Sequence, residues 1–284
     1  MKRFFIQLMF LSMLLTCFSN CKYDKFKLRG YDYRLFEDTP AWELAKAVKK
    51  EDVSKINLIV SSNPKIIDYQ EPVYGQSLLM LTIMNQQYRS FTALLAKGAN
   101  VNIHDTYNGT SPLIEACKSK YYDFIYAKML IEHGANVNDV EVGRRRDGNS
   151  TRLTPLIAAS LTGKLDLVKF LISEGADVNY QNEFGQSALS EAVMVDNYHI
   201  AYYLILNGAN YQRPIFYRPD YSIPLEKRDS DDKGTPIYLI DCLNEDFSKE
   251  DTSQHKYMNM IMDFVKKRVG GTESEAIPES QSQF

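Results

Sequence analysis

The sequence predicts an all-α fold, a solenoid of helix–turn–helix units with five full repeats and a degenerate sixth that caps the C-terminal end. Three observations predict it. Four stretches, 75–105, 109–140, 153–182 and 185–212, run in parallel when the chain is aligned with itself. Gly98, Gly134, Gly175 and Gly208 recur at intervals of 36, 41 and 33 residues, each followed by Ala and then Asn or Asp. Within each stretch the apolar residues return at helical spacing, as in Leu165, Val168, Leu171 and Ile172. Units this small cannot bury an apolar face alone, so a period of this size means stacking.

The units are approximately 39–70, 71–105, 106–139, 153–182 and 183–212, with the degenerate one at 234–269. Ser or Thr opens the first helix of a unit, where its hydroxyl accepts from free amide groups. Pro112 and Pro155 follow at the first helical position, where no amide bond is lost. Ala116, Ala159 and Ala192 come next, small enough for close helix packing. The recurring glycines end the second helix in the left-handed conformation. In 42–70, which aligns with 154–182 without a gap, Asn63 takes the glycine position and is expected there in the same conformation. Lys46, Lys49 and Lys50 give this unit the polar outer face of a terminal cap. After Gln212 comes an insertion, 213–233, rich in proline, charge and aromatics and read as a long loop. "TPIYLIDCLNED" (235–246) then restarts a first helix, and 255–269 supplies a second with Met258, Ile261, Met262 and Val265 on one face. The polar tail, 270–284, is expected to be disordered.

The openings "TPLIAA" (154–159), "SPLIEA" (111–116) and "SALSEA" (187–192) resemble the Thr-Pro-Leu-His-x-Ala signature of the ankyrin repeat family, with the His replaced. The resemblance extends from residue 39 to about 212, and more weakly over 234–269. It implies a concave face built from first helices and turn tips, on which family members bind proteins.

The first segment, "MKRFFIQLMFLSMLLTCFSNC", has a basic start at Lys2 and Arg3 and an apolar run from Phe4 to Leu15. That run is too short to span a bilayer, which needs about 20 residues. It has the layout of a secretion signal, residues 1–20. An apolar run followed by Cys resembles the signal of bacterial lipoproteins, in which the Cys becomes the lipidated first residue. Cys21, after a short polar stretch, is the expected site and Cys17 the alternative. Neither has the small residue that usually precedes that Cys. An ordinary cleaved signal is the other reading. Residues 21–38 then read as a tether. The resemblance implies a protein lipid-anchored to the envelope of a Gram-negative bacterium, on the periplasmic side or the cell surface.

Without residues 1–20 the chain carries 31 basic and 36 acidic side chains, net −5. That balance disfavours nucleic acid, whose binding leans on a basic face. Cys117 and Cys242 fall in first helices three units apart, roughly 30 Å at the usual helix spacing. A disulfide needs Cα atoms within about 7 Å, so both are expected as free, buried thiols. His104, His133, His199 and His255 lie in four different units and are not spaced for a metal. His104 is expected to be exposed. No nucleophile elbow, zinc-protease helix or phosphate-cradling loop is present. The sequence therefore predicts no catalytic, cofactor or metal site, but a monomeric protein-binding module.

Candidate contact residues are the aromatics expected at turn tips and the residues of one insertion. The aromatics are Tyr74, Tyr107, Tyr180, Phe184, Tyr211, Tyr217 and Tyr221. In a water-exposed turn so many rings have no evident structural duty, and Tyr, Trp and Arg dominate binding hot spots. Turn Asn and Asp residues are expected as polar rim contacts. The insertion, 140–152, lengthens the glycine interval to 41 and carries Arg144, Arg145 and Arg146, which with Arg152 outweigh Glu141 and Asp147. It reads as a basic finger. The specific function expected is that of an immunity protein against a periplasm-directed toxin, with a scaffold for a periplasmic enzyme or stress defence as the alternative.

Overall fold

The computed structural model describes residues 24–119, 121–143, 152–218, 234–246 and 252–269. Among the described residues the solenoid is built from six antiparallel helix pairs: α1 (Trp42–Lys49) with α2 (Val53–Ser62), α3 (Leu78–Met84) with α4 (Tyr88–Ala96), α5 (Pro112–Cys117) with α6 (Phe124–Glu132), α7 (Pro155–Thr162) with α8 (Leu165–Ser173), α9 (Ala188–Met194) with α10 (Tyr198–Leu206), and α11 (Leu239–Asp246) with α12 (Thr252–Val269). First helices stack on first helices along α3, α5, α7 and α9, and second helices meet in the pairs α2 with α4, α8 with α10 and α10 with α12. One continuous core runs through the stack.

Local chemistry sets each helix start. Ser77, Ser111, Thr154 and Ser187 accept from the amides of Met80, Ile114, Ile157 and Ser190, each cap contributing about 1 kcal/mol. Pro112 and Pro155 stand at the first helical position. Ala116, Ala159 and Ala192 are buried between stacked first helices, where added methylenes would force the units apart.

The second helices end as their glycines require. Gly98, Gly134, Gly175 and Gly208 have φ of +81°, +89°, +91° and +88°. Asn63 does not follow them. It lies at φ −144°, because Pro64 bars the helical region to the residue before it. The chain leaves α2 through a 3-10 turn, Pro64–Ile66.

Beyond each glycine runs a ladder of side-chain amides. Asn102 Nδ2 donates to the Gly134 carbonyl (3.0 Å), and its Oδ1 accepts from the Asn136 amide (2.9 Å). Asn138 does the same for Gly175 (3.0 Å) and Asp177 (2.7 Å), and Asn179 for Gly208 (3.0 Å) and Asn210 (2.8 Å). The turn Asn residues expected as polar rim contacts thus have a structural duty as well at these three positions. They satisfy carbonyl groups that a helix end leaves without partners.

The tether expectation is also corrected, from residue 24 on. Asp24 and Asp32 cap two 3-10 turns, Lys25–Lys27 and Tyr33–Phe36. Tyr33, Leu35 and Phe36 are buried in the core, each contributing roughly 1.5–3 kcal/mol. This segment is a strap laid on the first two units.

The insertion after Gln212 is not wholly loop. Strand β1 (Phe216–Arg218) pairs antiparallel with β2 (Thr235–Ile237), Tyr217 opposite Pro236. Thr235 therefore lies in a strand instead of capping a helix, and α11 begins only at Leu239. The segments 1–23, 219–233 and 270–284 lie outside the described residues, and with them Cys17, Cys21 and Tyr221. Among the described residues no helix is long and apolar enough to cross a membrane.

Two glycines separate backbone from packing effects. A Cβ on Gly98 would meet nothing within 4 Å, whereas one on Gly109 (φ +68°) would lie 1.8 Å from the Gly143 amide nitrogen. Gly98→Ala is expected to cost about 1–2 kcal/mol and Gly109→Ala about 3 kcal/mol or more. Urea denaturation of the two variants checks the order.

Candidate protein-binding surface

At every unit boundary the chain doubles back in a hairpin. Backbone amides of Glu71, Asp105, Glu141 and Asn182 donate to the carbonyls of Gln76, Thr110, Leu153 and Gln186 at 2.9–3.0 Å, and Ile215 donates to Ile237 at 2.7 Å. In three of these turns the leading side chain holds the loop. Glu71 accepts from the amides of Val73 (2.7 Å), Tyr74 (2.8 Å) and Gln76 (3.0 Å). Asp105 accepts from Tyr107 (2.9 Å), Asn108 (2.6 Å) and Gly109 (3.2 Å). Asn182 Oδ1 accepts from Phe184 (3.0 Å) and Gln186 (2.8 Å). A tight turn leaves amide groups without ladder partners, and a buried acceptor at its head satisfies them.

The turn between units three and four carries the insertion 140–152. Its leading residue, Glu141, is buried and accepts from Thr110 Oγ1 (2.9 Å), Lys118 Nζ (2.5 Å) and the Leu153 amide (3.3 Å). Glu141 therefore anchors the insertion to unit three and is not part of a finger's charge. Arg152 sits beside Glu183 (3.8 Å) at the next turn. Arg144, Arg145 and Arg146 lie outside the described residues.

The aromatics divide into two groups. Tyr74 and Tyr107 stack edge to face on adjacent tips, centroids 5.3 Å apart, and the Tyr74 hydroxyl donates to the Leu28 carbonyl (2.7 Å). Tyr180 is half-buried against the core. Tyr211 is not at a tip: its ring meets Phe264 of α12 at 6.1 Å. The premise that tip aromatics lack structural duty is corrected for these. Phe184 and Tyr217 are exposed, at 60% and 38%. His104 is also corrected: it is half-buried, with Nε2 3.1 Å from the Asp139 carboxylate.

The inner helices add residues that sequence reasoning missed. Glu115 on α5 accepts from the Tyr122 hydroxyl (3.3 Å). Burial raises its pKa, opposed by the Lys118 charge. Glu191 stands at the same position on α9. It is 7% exposed, and its Oε1 has no hydrogen-bond partner among the described residues. Burial raises its pKa too, opposed in part by the Gln186 amide. Met194 and Val195 close α9, exposed at 55% and 43%. A sequence signal for Glu191 existed: "SALSEA" puts Glu where "TPLIAA" puts Ala.

The surface carries no activated thiol among the described residues. Cys117 and Cys242 are free and buried, and burial pushes their thiols up to about 12 and about 11. Among the described residues no three His, Cys, Asp or Glu side chains cluster as a metal site.

A family model for ankyrin repeats in three copies matches residues 44–141 and 140–214. The chain belongs to the ankyrin repeat family. It is similar to a putative ankyrin repeat protein, R664, of Acanthamoeba polyphaga mimivirus, 37% identical over 28% of this chain and 48% of the viral protein. It is 40% identical to the RelA-associated inhibitor of Mus musculus, over 26% of this chain and 9% of the mouse protein. The KH-domain protein mask-1 of Caenorhabditis elegans aligns at 23% identity over 61% of this chain and 6% of its own length. The chain thus spans less than half of each of these relatives. Ankyrin repeats make protein–protein interaction modules, so the tips and inner helices are where a partner is to be sought.

The buried Glu191 gives a pH signature. Its folded pKa lies above the ordinary 4.5, so its ionisation weakens the fold as pH rises above that value and costs nothing below it. Glu191→Gln should therefore raise Tm at pH 8, with a gain that shrinks as pH falls toward 4. Thermal melts across that range check it, and a pH-independent gain contradicts it.

Proposed function

We propose that this ankyrin chain is a non-enzymatic capture module that holds one protein partner on its inner face and turn tips. The observation that carries the reading is the exposed apolar surface at unit five, Phe184 at the tip and Met194 with Val195 at the inner helix end. Isolated exposed apolar side chains are ordinary, but a tip and a helix end of one unit presenting them together suits a binding surface. The arginines at 144–146 belong to the same reading as basic contacts.

The proposed setting is the bacterial envelope, with Cys21 lipidated. The basic start, apolar run and Cys of residues 1–21 support it, while the viral, nematode and mouse relatives do not bear on it. The proposed role there is immunity, one toxin bound tightly and one to one. A scaffold for a periplasmic enzyme is the second reading and would hold several clients weakly.

A photo-crosslinking residue at position 184 tests capture. It should trap one discrete protein adduct in cells, and the same residue at Leu58, exposed on an outer helix, should trap none. Reversing Arg144–Arg146 to Glu should lower the adduct yield without lowering Tm. Equal trapping from both positions, or none from 184, contradicts the reading. For the anchor, palmitate labelling should mark the protein and vanish with Cys21→Ser. Labelling that persists in Cys21→Ser but not in Cys17→Ser moves the site.

A further inference from the structure

The strap, two 3-10 turns joined by a turn at Arg29–Asp32, shows how the inner face holds a second stretch of chain. In unit two it crosses from the turn tip to the far end of α3. The Leu28 carbonyl accepts from the Tyr74 hydroxyl (2.7 Å). Gly30 lies against the Gln76 amide, where a Cβ would stand 3.1 Å from Nε2. The Tyr31 carbonyl accepts from Asn85 Nδ2 (2.9 Å), and the Tyr33 hydroxyl bonds Gln87. Leu81, midway along α3, is fully buried.

The same positions recur in unit five. Tyr74-Gly75-Gln76-Ser77 corresponds to Phe184-Gly185-Gln186-Ser187, and Met84-Asn85 to Met194-Val195. Tyr74 is half-covered, whereas its counterpart Phe184 is 60% exposed. Asn85 holds a strap carbonyl, whereas its counterpart Val195 is 43% exposed. Leu81 is replaced by Glu191, whose Oε1 has no partner among the described residues although the residue is only 7% exposed. A buried carboxylate oxygen without a partner is costly, and a cation or donor brought by a ligand relieves that cost.

These replacements define a ligand. We infer that the inner face of unit five is the docking site for one segment of the partner protein, which crosses α9 as the strap crosses α3. Where the strap offers a carbonyl to Asn85, the partner lays an apolar side chain on Val195 and Met194. Where Leu81 meets apolar surface, the partner brings a lysine or arginine to Glu191. A second apolar side chain covers Phe184. The occupant is thus a basic and apolar segment, suited to a chain whose own charge is net −3. This inference rests on the protein-binding reading and narrows it to one unit and one chemistry.

The probe is a fluorescein-labelled nonapeptide of alternating leucine and arginine, followed by anisotropy with the full chain. Its citrulline counterpart keeps the shape and loses the charge. The arginine peptide should bind, with about tenfold weaker binding for the citrulline peptide, for Glu191→Gln and for Val195→Asp. Leu58→Asp, on the outer surface, should leave binding unchanged, and circular dichroism confirms that each variant is folded. No binding of the arginine peptide at about 1 mM, equal binding of both peptides, or binding indifferent to Glu191→Gln and Val195→Asp overturns the inference. So does a dimer by light scattering that Val195→Asp dissociates, since the occupant is then a second copy. If the adduct at position 184 forms normally in the Glu191→Gln, Val195→Asp protein, the inference fails and the capture reading stands. Loss of every adduct from the unaltered surface removes both.

Discussion

Asn102, Asn138 and Asn179 each bind the unit that follows through two hydrogen bonds, and the stacking of the solenoid depends on that repeated link. Each amide donates to the glycine carbonyl at the end of the next second helix and accepts from an amide just beyond it. The glycine is part of the same device, since only at positive φ does its helix end turn toward the ladder. Side-chain packing then follows the spacing the ladder fixes, and the small residues Ala116, Ala159 and Ala192 let the first helices approach. A solenoid held by nearest-neighbour links of this kind is stable in proportion to how well each link is made.

The hairpins are a second rail, parallel to the first. Glu71, Asp105, Glu141 and Asn182 each turn buried polar groups into fixed geometry at a unit boundary. Neighbouring tips also bond to each other: the Thr106 and Tyr107 amides donate to the Tyr74 carbonyl, and the Val142 amide to Gly109. The exposed side chain that a hairpin carries, Phe184, is therefore held on a stiff frame, while Met194 and Val195 stand at the opposite end of α9. A surface presented that way loses little entropy on binding.

Much of this was legible in the sequence, because repeats state their own alignment. Helix pairs, serine and threonine caps, the proline positions and the left-handed glycines all follow from local rules that each unit repeats. Misreadings arose where a non-local contact decided. Residues 24–38 look like a polar tether, but Tyr33, Leu35 and Phe36 are buried only because units one and two offer them a surface. Asn63 looked like a glycine substitute until the following proline is weighed. Thr235 copies a cap motif, yet pairing with Phe216–Arg218 draws it into a strand. The structural duty of the ladder asparagines does not show locally, because the groups they bond lie 29–39 residues away. Glu191 was readable only as a departure from alanine, and its isolation needed the neighbouring side chains.

Amide hydrogen exchange on the full chain tests the central link most directly. If the ladder joins the units, the amides of Asn136, Asp177 and Asn210, although in exposed turns, exchange as slowly as those of the buried helices they connect. Exchange of these three at the rate of open loops, with the helices still protected, would contradict the account.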